Sequence, residues 1–246
     1  PSLVTIWRYE LDTFAEVVRA RRGDAKVGLR FEDQRWTWDE VVQESADRAS
    51  ALVSTVPLPE GRQRHIGVLL ENVPDFVFWI GAGALAGAVV VGINASRSGP
   101  EIARDVRHAD VDLIITESRL AHLVAGTDHG LPAEKILDVD SPRYRAFLEP
   151  FRGAQLPETR PSPDDIALLL FSSGSTGAPK AVVVSQGRLA RLFGPLSERT
   201  HMRRDSVTYL CMPLFHGNAL MLNLGTAMSV GATVSMIRKF SASRFA

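Results

Sequence analysis

A chain of 246 residues, 45% of them hydrophobic and 23% charged, has ordinary globular composition and is long enough for one large domain or two small ones. Its 28 lysines and arginines balance 28 aspartates and glutamates, which argues against the basic excess of a nucleic-acid-binding surface. The single cysteine, Cys211, excludes an internal disulfide, fits a reducing, cytoplasmic compartment and reads as a buried structural thiol.

Apolar runs and helical patterns alternate along the chain. Residues 12–21 read as an amphipathic helix, and KVGLRF at 26–31 as a strand. Thr37 and Glu40 form a capping box, so a helix is expected to about Ser54. HIGVLL at 65–70 is a strand, after which Asn72 is expected to cap the next helix. The uncharged stretch 76–93, FVFWIGAGALAGAVVVGI, has the length of a marginal membrane span and carries Gly83 and Gly87 at the spacing of a helix-dimer motif. Its Gly and Ala content favours another division: a helix over 73–86, a turn at Gly87 and a buried strand AVVVGI.

Ser98 and Glu101 form a second capping box, opening a helix toward His108 whose Asp105, Arg107 and His108 read as a solvated face. DLIIT at 112–116 is a strand with a short helix after it. From Gly126 to Pro163 only KILDV reads as a strand, within an irregular connection. IALLLF at 166–171 and AVVVS at 181–185 are paired strands. A helix over 186–198, a strand SVTYLC, a helix through 219–228 and a strand ATVSMI follow. The alternation predicts an α/β fold with largely parallel sheets flanked by helices. The N-terminal stretch is charged where a secretory leader would be apolar. Ser241 reads as the cap of a new helix, which suggests a portion of a longer protein.

Between the paired strands lies SSGSTGAPK, 172–180. Glycines let a backbone approach a ligand and aim its N–H groups at one point. The hydroxyls of Ser172, Ser173, Ser175 and Thr176 add donors, and Lys180 adds positive charge. The natural guest of such a loop is a polyphosphate. It is not the phosphate loop of kinases and GTPases: Pro179 precedes the lysine where that motif has glycine, and Ala181 follows where it has a metal-binding hydroxyl. A flexible surface loop is the competing reading, but a Pro-Lys exit between two apolar strands is not linker composition.

FSSGSTGAPKAV at 171–182 closely resembles the signature of the adenylate-forming enzymes: acyl-CoA synthetases, peptide-synthetase adenylation domains and firefly luciferase. ENVPDFVFWIGAGALAGAVVVGIN at 71–94 resembles that family's upstream helix–strand segment. PLFHGNAL at 213–220 resembles its next motif, with His216 in the aromatic or histidine position. Ala181 departs where the family usually has glycine, and Ser185-Gln186 departs from its usual Thr/Ser-His pair. GINASRSGPEIARDVRHAD at 92–110 looks most like long- and very-long-chain fatty acyl-CoA synthetases.

The resemblance implies a fatty-acid–CoA ligase using ATP, Mg²⁺ and coenzyme A. Ser173, Gly174, Ser175, Thr176 and Gly177, with Ser172 beside them, would hold the β- and γ-phosphates, and Lys180 would support the loop or its charge. His216 would lie at the carboxylate end of the acyl pocket. Residues 1–246 would form an incomplete N-terminal domain, the rest of that domain and a mobile C-terminal domain lying elsewhere. The family's adenine pocket, Thr-Glu pair, ribose aspartate and C-terminal lysine are not found before Ala246, so the chain alone is expected to be inactive. An acyl-AMP ligase that loads a carrier protein and a non-catalytic nucleotide-binding homologue are the alternatives. No protein-bound zinc or iron is expected, while peripheral membrane contact and oligomeric state stay open.

Overall fold

The computed structural model of the chain describes residues 11–172 and 180–240, the side chains of Ser172 and Lys180 excepted. The expected helix at Ser241 lies outside them. The described residues fold into two sheets around a helical layer. The larger sheet has the spatial order β6 (Ile136–Asp138), β5 (Leu113–Thr116), β3 (His65–Leu69), β4 (Val89–Gly92), β7 (Ile166–Ser172), β8 (Lys180–Ser185). Every neighbouring pair in it is parallel except β7 and β8, which form an antiparallel hairpin. The smaller sheet has the order β2 (Gln34–Thr37), β1 (Val27–Phe31), β10 (Thr233–Met236), β9 (Val207–Leu210). Leu29 pairs with Val234, so this sheet unites the two ends of the chain. The α/β architecture with largely parallel sheets is therefore as expected. The split into two sheets is what the sequence pattern left unsaid.

Side chains alternate across the larger sheet. Ile66, Val68, Val90, Leu113, Ile115, Leu168 and Leu170 join the main core, while Leu69, Val89, Val91, Ile114 and Leu169 join a second core on the opposite face. Both faces are covered, which is why these strands read as unbroken apolar runs. Helices α2 (Trp38–Thr55) and α3 (Pro74–Ala86) pack in the main core. Helix α4 (Gly99–His108) covers the second through Ile102 and Val106.

The stretch with the length of a membrane span divides as predicted. Helix α3 is buried almost throughout, and Gly87 ends it in the left-handed conformation at φ 65°. A helix enclosed on every side is apolar on every side. The Gly83–Gly87 spacing is not a dimer motif here. A Cβ on Gly83 would lie 2.4 Å from Val90 Cγ2, so this glycine lets α3 approach its own sheet. Among the described residues no helix is long and apolar enough to cross a membrane.

Both predicted capping boxes form. Thr37 N donates to Glu40 Oε2 at 2.6 Å, and Ser98 N donates to Glu101 Oε2 at 2.9 Å. Four readings change. Asn72 does not cap α3: Val73 takes that position and Pro74 opens the helix without an N–H to satisfy. Asp105 is not solvated but buried, with Arg97 3.0 Å away, because it faces the packed side of α4. The irregular connection contains a helix, α5 (Pro142–Leu148), capped by Ser141 and anchored through buried Tyr144 and Leu148. Cys211 is half-buried rather than buried.

The remaining helices, α1 (Phe14–Arg19), α6 (Gln186–Arg199) and α7 (Thr226–Val230), pack together. Phe14 of α1 meets Phe193 of α6 edge to face at 5.7 Å. Gln186 Oε1 accepts from Ala15 N at 3.0 Å. The residue that departs from the family's usual histidine thus satisfies the start of α1, where backbone donors have no helical partner.

Candidate functional site

Parallel strands end their carbonyl rows on one rim of a sheet, and in open α/β sheets ligands bind in the crevice beyond that rim. The carboxyl ends of β3, β4 and β7 share it here. The hydroxyl-rich segment leaves from it, at the end of β7. In the β7–β8 hairpin Phe171 pairs with Ala181 and Ser172 with Lys180. Opposed residues of an antiparallel pair sit about 5 Å apart, so the two ends of segment 173–179 are brought together at the rim. Ser173, Gly174, Ser175, Thr176 and Gly177 lie outside the described residues, as do the side chains of Ser172 and Lys180.

The His216 loop reaches the same rim from the smaller sheet, following β9. His216 N donates to Pro213 O at 2.9 Å and closes a turn, and Ala219 N donates to His216 O at 3.0 Å. The imidazole is exposed, 4.6 Å from the Phe215 ring. A Cβ on Gly92, the last residue of β4, would stand 3.3 Å from Phe215 Cα. A Cβ on Gly217 would stand 3.4 Å from Leu170 Cδ1, a side chain of β7. The loop therefore lies across the ends of β4 and β7, beside the base of the hydroxyl-rich segment. Asn72, in the turn after β3, holds it: Nδ2 donates to Met212 O at 2.9 Å, and Oδ1 accepts from Leu214 N at 2.9 Å.

After the loop comes a π-helical stretch, Ala219–Gly225, rather than the simple α-helix that periodicity suggests. Thr226 Oγ1 donates to Met221 O at 2.6 Å, and Gly225 passes so close to Phe193 that a Cβ would fall 2.2 Å from its ring. Such stretches often mark functional sites.

Sequence reasoning missed a charged cluster on the rim. Glu71 follows β3, Glu117 follows β5 and Arg238 follows β10. Arg238 Nη1 binds Glu117 and reaches Glu71 Oε2 at 3.3 Å, while Glu71 N donates to Glu117 Oε1 at 2.7 Å. Burial alone would lower the Arg238 guanidinium, but its hydrogen bonds to both carboxylates and their charge hold it above its ordinary value. The available signal was a charge placed just past three apolar strand runs. The cluster ties the smaller sheet to the larger.

Among the described residues no three His, Cys, Asp or Glu side chains group as a metal site. An open groove of about 530 Å³ runs along the outer side of β9 beside Thr208, Tyr209, Leu222 and Asn223. It is lined by none of the residues expected to act.

Comparison with known proteins adds the following. The sequence profile of the "AMP-binding enzyme" family matches residues 14–246. The chain is 46% identical over 239 residues to a steroid-22-oyl-CoA synthetase of Rhodococcus jostii, covering 96% of this chain and 42% of that protein. It is 35% identical over 218 residues to the medium/long-chain-fatty-acid–CoA ligase FadD17 of Mycobacterium tuberculosis, covering 89% and 42%. The chain thus spans about two-fifths of the length of these curated relatives. Its fold is that of the N-terminal domain of FACL13 from Mycobacterium tuberculosis, solved with an inhibitor, at a TM-score of 0.82 and 20% identity over 95% of this chain and 59% of that one.

Proposed function

The chain belongs to the AMP-binding enzyme family, and from that premise we propose that its protein is an ATP-dependent acid–thiol ligase for a large apolar carboxylic acid. A carboxylate is a poor electrophile, since its charge repels nucleophiles and it lacks a leaving group. In the proposed reaction a carboxylate oxygen attacks the α-phosphorus of ATP. The bond to the β-phosphate oxygen breaks, and pyrophosphate leaves with that electron pair. The thiolate of coenzyme A then attacks the acyl carbon, and AMP departs with the acyl C–O pair.

The observation that carries this reading is the meeting of two segments on one rim: the hairpin that presents FSSGSTGAPKAV, and the His216 loop laid across β4 and β7. In this reading Ser173, Gly174, Ser175, Thr176 and Gly177, with Ser172 beside them, donate to the β- and γ-phosphates. Lys180 opposes the charge that gathers on pyrophosphate as it leaves. Donors fixed in advance at such a charge are worth roughly 3 kcal/mol each. His216, exposed on the same rim, orients the acid. Mg²⁺, when bound, would neutralise phosphate oxygens, and its ligands would come from the nucleotide and from outside the described residues. Residues 1–246 form the phosphate-loop portion of a larger catalytic domain, so this chain alone is inactive.

A long-chain fatty acid is the substrate expected from segment 92–110. The 46% identity to a steroid-22-oyl-CoA synthetase supports a second reading, a steroid side-chain acid. Acid-dependent ATP–pyrophosphate exchange tests both, run with the 246-residue chain and with the full-length protein. The panel spans acetate, long-chain fatty acids, aromatic acids and steroid side-chain acids. Exchange by the full-length protein alone, restricted to one of the two large apolar classes, is the expected result. Exchange by the 246-residue chain would overturn its proposed incompleteness. Silence from a folded full-length protein would favour a non-catalytic nucleotide binder. Exchange without acyl-CoA formation, rescued by a carrier protein, would replace coenzyme A as the acceptor.

A further inference from the structure

Asn72 stands where a helix cap is expected, yet its side chain serves another part of the chain. Val73 caps α3, and Pro74 has no N–H to satisfy. The Asn72 amide, 2% exposed, turns instead to the loop between β9 and the π-helical stretch. Its Nδ2 donates to Met212 O, its Oδ1 accepts from Leu214 N, and both bonds measure 2.9 Å. The two bonds bracket Pro213. One side chain therefore does for residues 212 and 214 what a neighbouring strand would do. Past that grip the chain has little freedom. His216 N returns to Pro213 O, His216 O receives Ala219 N, and Phe215 is stopped by the bare backbone of Gly92. A displacement at Met212–Leu214 reaches His216 through the turn that His216 N closes on Pro213 O.

We propose that Asn72 is a positioning residue for acid activation, acting through His216 by fixing the backbone of residues 212–214. The proposal rests on the role given to His216 above. The amide is suited to the task because it offers one donor and one acceptor at once. A carboxylate in its place would keep the acceptor for Leu214 N but would set a negative charge against the Met212 carbonyl. Alanine would release both ends of the grip and leave the buried Leu214 N–H and the part-buried Met212 carbonyl without these partners.

The test is a double-mutant cycle in the full-length protein, read by acid-dependent exchange with KM taken separately for acid and for ATP. Asn72→Ala is expected to lower kcat/KM for the acid by about tenfold or more, as small misplacements of reacting groups do, and to leave KM for ATP unchanged. In a His216→Ala background the same change should add little, since residues acting as a unit are not additive. Hydrogen exchange supplies an independent readout: the Leu214 amide should exchange faster in Asn72→Ala, which removes its acceptor. If Asn72→Ala does not fold, Asn72→Asp carries the same cycle. Additive losses, equal losses for acid and ATP, or full activity in Asn72→Ala would overturn the proposal while leaving His216 its role. A neutral His216→Ala would overturn the role of His216 itself, and the proposal with it.

Discussion

Two polar regions of this molecule are built on opposite plans. One is the network inside the α2–α3–α5 layer. Arg48, with 4% of its side chain exposed, binds Glu44 Oε2 at 2.5 Å and Asp75 Oδ1 at 2.7 Å. Its Nε donates to the Tyr144 hydroxyl at 3.0 Å, and its guanidinium lies 4.8 Å from the Phe78 ring centroid. The Tyr144 hydroxyl donates to Asp75 and accepts from Trp79 Nε1. Burial first, then the nearby Asp75 charge, pushes that phenol well above its ordinary range, with Arg48 pulling the other way. The other region is the rim, where His216 is exposed and the hydroxyl-rich segment begins. The difference teaches where stability and chemistry reside. A charge buried within a layer is surrounded until its partners are complete. On the rim the His216 side chain is left exposed.

Substitutions should therefore separate along this line. The largest effect falls on the rim. Lys180→Ala is expected to lower acid-dependent exchange by the full-length protein by roughly 100-fold or more, the loss typical of one preorganised group facing developing charge. Its melting temperature should hold. A fall in Tm parallel to the loss of activity would make Lys180 a support of the hairpin instead.

The opposite pattern is expected inside the layer. Arg48→Met removes the Arg48 cation from Asp75 and leaves Glu44 paired with Arg152 alone, and breaking a buried pair costs about 3–5 kcal/mol. Asp75 and Glu44 keep 25% and 26% of their side chains exposed, so water offsets part of the loss and the lower end, about 3 kcal/mol, applies. Denaturant unfolding should show that loss with little change in m. The ratio of rates among acids should not move. A shift in acid preference would mean that the layer reaches the site.

The smallest effect is a pH dependence. His129, 9% exposed, accepts from Leu131 N through Nδ1 at 3.1 Å, which holds the ring neutral. Burial lowers its pKa, Arg107 lowers it further and Asp128 opposes them. The folded value therefore lies below the unfolded one. Stability from this group is complete above the unfolded value of about 6.5, and it is lost as pH falls below that, because only the unfolded chain then gains the proton. Tm should decline more steeply from pH 6.5 to 5 in the parent than in His129→Gln. Parallel curves would remove His129 from the acid response.

Much of the local structure was legible because its causes are local. The capping boxes Thr37–Glu40 and Ser98–Glu101 lie within one turn, and the left-handed end at Gly87 needs only the absence of a Cβ. The same holds for the hairpin flanks 166–172 and 180–185, whose β-branched and leucine runs announce strands. The candidate site was legible through its motif, whose glycines, hydroxyls and lysine are chemistry written in residue types. Asn72 and Asp105 were misread for a common reason. Each looked local, a cap and a solvated charge, and each is decided by a partner across the fold or the turn of a helix toward the core. The Arg238–Glu71–Glu117 cluster escaped because its members are far apart along the chain.

The sequence by itself determined the α/β class and most elements, and it supplied the motif on which the proposed phosphate role of segment 172–180 rests, since propensity, periodicity and side-chain chemistry act over a few residues. Only the tertiary structure decided that β1 joins β10 in a second sheet, that Asp105 is buried on the packed side of α4, and that Asn72 grips the loop of His216. Those outcomes depend on which surfaces meet once the chain collapses. Burial and hydrogen bonding are satisfied by proximity in space, to which separation along the sequence is blind.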